Sequence, residues 1–76
     1  MKESELKEIL ERHGYVLEKI VRFKGHDRIR FKTPRKVTVT LNLRMHLEEI
    51  PKNALLKWIL NKKELEKELN GNEREG

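Results

Sequence analysis

Cysteine is absent from this 76-residue chain, which removes disulfide frameworks, thiolate metal sites and thiol redox chemistry at a stroke. Glutamine is absent as well. With Lys and Glu so abundant, that lack is the composition expected of a thermophilic source, where charged networks persist and labile amides do not. No apolar run approaches the roughly 20 residues needed to cross a bilayer, and the opening MKESELKE has no signal-peptide core, so a cytoplasmic location without membrane attachment is expected. His13, His26 and His46 fall on separate segments, and no pair of carboxylates stands at catalytic spacing. Neither a metal nor another cofactor is expected. The length itself excludes two cores, because so short a chain buries only about 60% of its unfolded surface.

Positive charge is present and unevenly placed. Between Arg22 and Arg44 stand eight basic residues, Arg22, Lys24, Arg28, Arg30, Lys32, Arg35, Lys36 and Arg44, against the single acid Asp27, a local balance of +7 in a chain whose net charge is +5. Such concentration is the footprint of a protein that meets a polyanion, most often nucleic acid, and is also found on plain solvated faces.

Periodicity supplies the elements. Ser4 is placed to cap a helix over 4–13 whose Leu6, Ile9 and Leu10 share a face, and His13-Gly14 ends it. A β-rich run follows from Tyr15 to Phe23, a turn at Gly25 to Asp27, and a strand from Arg28 to Lys32. Thr33-Pro34 breaks the run, and Lys36 to Asn42 resumes it with Val37, Val39 and Leu41 inward. Pro51 suits the first turn of one closing helix carrying Ala54, Leu55, Trp58, Ile59, Leu65 and Leu69 to Asn70-Gly71. The expected architecture is α+β: a two-layer α-β-β-β-α sandwich over residues 1–70, a three-stranded antiparallel meander with both helices on one face, and a frayed tail at 71–76. His26 shares parity with Arg28, Arg30 and Lys32, so a strand beginning at His26 sets all four on the open face. Trp58, at helical spacing among leucines, reads as core. Phe31 has inward parity, so the sheet face is expected to lack the aromatic pair of sheet-based single-strand readers.

Three segments together carry a resemblance. LKEILERHGYVLEK, HDRIRFKTPRKVTVT and HLEEIPKNALLKWIL resemble, in order and spacing over roughly residues 6 to 62, the HicA family of small toxins. That resemblance implies a double-stranded-RNA-binding-domain-like fold and metal-independent cleavage of mRNA, restrained by an acidic HicB-type antitoxin. It implies His26 as the catalytic histidine; Lys24, Arg28, Arg30, Lys32, Arg35, Lys36 and His46 are the expected RNA contacts. Where the family has a serine before its histidine this chain has Lys24-Gly25, and where its V-T-V strand meets proline this chain has Thr40.

The chemistry suits those residue types. Cleavage without metal requires a 2′-hydroxyl to attack its own phosphate, and an imidazole that titrates near neutrality can take that proton or supply one to the leaving oxygen, contributing roughly 10² to 10⁴ in rate. Nearby guanidinium groups would stabilise the charge on phosphorus. Two other readings fit the same residues: a non-catalytic RNA- or DNA-binding module, and a protein-interaction or structural domain acting as a monomer or small homo-oligomer.

Overall fold

A computed structural model describes residues 1–70; the expected tail at 71–76 lies outside the described residues. The first helix, α1, spans Glu3–Arg12, with Lys2 rather than Ser4 at its N-cap and no side-chain cap. Glu3 and Glu5 suit the positive end of the helix dipole instead. Its exit is a Schellman turn: the Tyr15 amide donates to the Leu10 carbonyl at 2.8 Å and the Gly14 amide to Glu11 at 3.1 Å. Gly14 takes φ +85°, a conformation that favours glycine, and a Cβ there would crowd Pro34 at 3.3 Å.

Three strands follow, β1 Val16–Phe23, β2 His26–Lys32 and β3 Thr38–Asn42, paired antiparallel in the order β1-β2-β3. The first turn is shorter than its sequence suggests. Lys24-Gly25 alone makes it, Gly25 supplying φ +88°, so β2 begins at His26, paired with Phe23, instead of at Arg28. Tyr15, expected to open β1, drops into the core against Phe31, ring centroids 5.9 Å apart. The third strand is also shorter. Thr33 donates to the Val37 carbonyl at 2.9 Å and accepts from the Lys36 amide at 2.8 Å, so residues 33–37 are used as a closed turn. Lys36 there adopts φ 66°, and Val37, expected inward, is 55% exposed.

The single closing helix of the sequence reading is in fact two. A short 3-10 turn at Leu47–Glu49 precedes α2, Lys52–Ile59, which Pro51 opens as N-cap. Leu60 is then extended, and Asn61 caps α3, Lys62–Asn70: its Oδ1 accepts the Glu64 amide at 2.9 Å while its Nδ2 donates to the Glu64 carboxylate at 2.9 Å. This reciprocal cap explains why the chain breaks here, although the leucine spacing runs on. The break moves the apolar stripe to Leu55, Leu56 and Leu60 and leaves Trp58, expected in the core, 46% exposed. His13 ties α3 back to the end of α1, its Nε2 2.8 Å from a Glu68 oxygen.

Leu6, Ile9 and Leu10 of α1, Leu55 and Leu56 of α2 and the inward residues Ile29 and Phe31 form one core, with Leu17, Ile20, Val39 and Leu41 packed against it. The helices therefore cover one face of the sheet, and the fold is the expected α+β two-layer arrangement. Each fully buried Leu or Ile contributes roughly 1.5–3 kcal/mol, so stability resides on that side. The opposite face stays open, and its residues are released for other work. Among the described residues no helix is long and apolar enough to cross a membrane.

Candidate nucleic-acid interface

Strand parity divides β2 cleanly. Asp27, Ile29 and Phe31 are buried, while His26, Arg28, Arg30 and Lys32 stand on the open face. The imidazole of His26 lies stacked on Phe23, centroids 5.0 Å apart and planes 18° from parallel, and the Arg28 guanidinium sits 4.8 Å from the centre of the same phenyl ring. Arg28 also donates from Nε to Asn42 Oδ1 at 2.7 Å, which fixes its reach across to β3. The open face thus carries an aromatic, Phe23, that parity arguments centred on Phe31 overlooked. Its signal was in the sequence: a two-residue turn makes Phe23 and His26 cross-strand partners.

At this end of the sheet Lys24, His26, Arg28, Asn42 and Arg44 surround a shallow hollow. Neither Lys24 nor Arg44 has an ion-pair partner among the described residues, and Arg28 has only neutral ones. Lys19 and Arg30 continue the positive surface beside Val21 and Thr40. Towards the far end the charge is partly neutralised. A bulge in β1 turns Glu18 onto the open face, where it meets Arg30 at 3.2 Å and Lys32 at 3.8 Å. Arg35 and Lys36 belong to the turn beyond Lys32, which itself lies six residues and so about 20 Å along the strand from His26. They stand apart from the hollow.

His46 leaves the expected contacts, and Arg22, counted in the basic run, is neutralised. Arg22 pairs inward with Asp27, at 3.2 Å, and with Glu48, at 2.6 Å. Hydrogen bonds to the Glu48 and Asp27 carboxylates raise its guanidinium pKa further, and the bonds from Arg22 lower that of Glu48. His46 places Nδ1 3.0 Å from Asp27 Oδ1, and since a carboxylate only accepts, Nδ1 carries the proton. Expected among the RNA contacts, His46 instead holds the loop beneath the sheet and does not line the hollow.

Asp27 is the one buried charged side chain of the described residues. Burial alone would push its carboxyl up; the Leu47 amide at 2.8 Å, His46 and Arg22 outweigh it and hold the pKa at about 2. The acid that interrupts the basic run is therefore a fastener. It pins the 43–50 loop to the first hairpin, together with the Leu43 amide that donates to the Asp27 carbonyl at 2.9 Å. No group of three or more His, Asp or Glu side chains among the described residues is placed to hold a metal ion. Comparison with protein-family models, curated proteins and solved structures finds no match.

Proposed function

We propose that this protein binds RNA on the open face of its sheet and cleaves it in the manner of the HicA toxins it resembles, with His26 as the proton carrier. The observation that supports this reading is the convergence of Lys24, Arg28 and Arg44, without a neutralising carboxylate among the described residues, around an outward imidazole. Lys24, Arg28 and Arg44 neutralise phosphates entering the hollow and release the counterions condensed on the RNA, a sequence-independent and salt-dependent attraction. His26 takes the proton of a 2′-hydroxyl as its oxygen bonds to phosphorus, and the imidazolium so formed returns that proton to the 5′-oxygen as its bond to phosphorus breaks, leaving a 2′,3′-cyclic phosphate and a 5′-hydroxyl. Arg28, held by Phe23 and Asn42, is preorganised to stabilise the charge that builds on the phosphoryl oxygens. An acidic antitoxin of the HicB type would neutralise the same surface.

A second reading, binding without cleavage, is favoured by one observation. The His26 ring is stacked on Phe23 and has no hydrogen-bond partner among the described residues to orient it as a base. Digestion of single-stranded RNA by purified protein and by the His26→Ala variant, with EDTA across pH 5 to 9, separates the two. Cleavage by the parent and not the variant supports the nuclease. Intact RNA that is still bound leaves the binding module.

A further inference from the structure

Two hollows meet at the β3 edge of the sheet, and Asn42 and Arg44 line both. His26 stands in the first, with Phe23 stacked on it. The second lies between Leu41 and Trp58. Trp58 is the only tryptophan of the chain, and the core has no use for it: the inward positions of α2 are Leu55 and Leu56. A half-exposed indole, lining one hollow with a guanidinium that pairs with no acid among the described residues, matches a ligand that is flat and aromatic at one point and anionic at the next. A nucleotide has that chemistry.

We infer that Trp58 and Arg44 form a second nucleotide subsite, where an unpaired base of a single-stranded RNA stacks on the indole and the phosphate leading on to the hollow at His26 sits on Arg44. This rests on the RNA-binding reading of the open face and narrows its ligand. Bases within a duplex are stacked on one another and do not reach the indole, whereas a flexible strand can turn a base outward and bend around the sheet edge. Asn42, already held by Arg28, lies between the two positions as a polar divider.

The single tryptophan is its own reporter. Its fluorescence is followed during titration with a single-stranded RNA octamer and with the same octamer as a duplex, while binding is measured separately by anisotropy of labelled RNA at low salt. The single strand is expected to quench Trp58, and the duplex to bind more weakly and leave the emission unchanged. Trp58→Ala should weaken single-strand affinity about fivefold or more, with Trp58→Phe restoring most of it and duplex affinity unmoved. Saturating single-strand binding to the parent protein without any change in emission, or a duplex bound more tightly than the strand, overturns the subsite while open-face binding stands. No anisotropy change with either RNA removes the open-face reading and the subsite with it.

Discussion

Phe23 and His26 face one another as the last pair of the first hairpin, their rings 5.0 Å apart and nearly parallel. This stack holds the imidazole upright and, through the same phenyl ring, steadies Arg28. Replacing Phe23 with Ala is expected to shift the His26 ring protons downfield in NMR spectra, because the ring current above them is lost. RNA affinity should fall about fivefold or more as the stacking and cation-π support disappears. Unchanged His26 resonances would show that the stack does not persist in solution.

Charge placement gives a second expectation. If Lys24 and Arg44 each neutralise one phosphate, substituting either with Ala lowers the slope of log affinity against log salt by about 0.7 for a single strand. Arg35→Ala, at the other end of the sheet, should leave that slope where it was. Equal effects at both ends would mean that RNA lies along the whole sheet and not in the hollow.

Asp27 predicts an acid limit to stability. Its folded pKa, about 2, lies below the usual carboxylate value of 3.8, so its contribution is complete above that value and is lost as pH falls towards 2. Asp27→Asn should cost about 1.5–3 kcal/mol near pH 6, since charge-assisted bonds from Arg22, His46 and Leu47 are weakened. Urea unfolding of both proteins from pH 2 to 6 checks this: the gap between them should close at the acid end. A constant gap would assign the pH dependence to other groups.

Lys36 sits at φ 66°, a conformation that costs an L residue about 1–2 kcal/mol. Lys36→Gly removes that strain and adds chain entropy to the unfolded state, so a net gain of up to about 1 kcal/mol is expected in urea unfolding. A loss of stability would point to a contact made by the lysine side chain.

The sequence showed the layers more clearly than the joints. Alternation in β2 and the leucines of α1 identified one wet and one dry face, because parity and helical period follow from backbone geometry alone. What escaped was set by side chains acting on the backbone. Asn61 and Glu64 cap each other and split a helix whose leucine spacing is continuous, and with that split Trp58 moves from expected core to surface. Thr33 closes its turn early and strands Val37 outside. At the site, His26 and Arg28 were legible from parity, whereas His46 was drawn away by Asp27, a pairing of residues 19 apart that no local pattern announces.

His26 and Asp27 are neighbours on opposite sides of the same strand. Sliding β2 by a single residue would therefore bring a carboxylate up onto the open face and drive guanidinium groups down among the leucines. A misaligned hairpin would lose the bonds on Asp27 and the outward row of cations together, so those bonds act as a proofreading device that admits only one alignment.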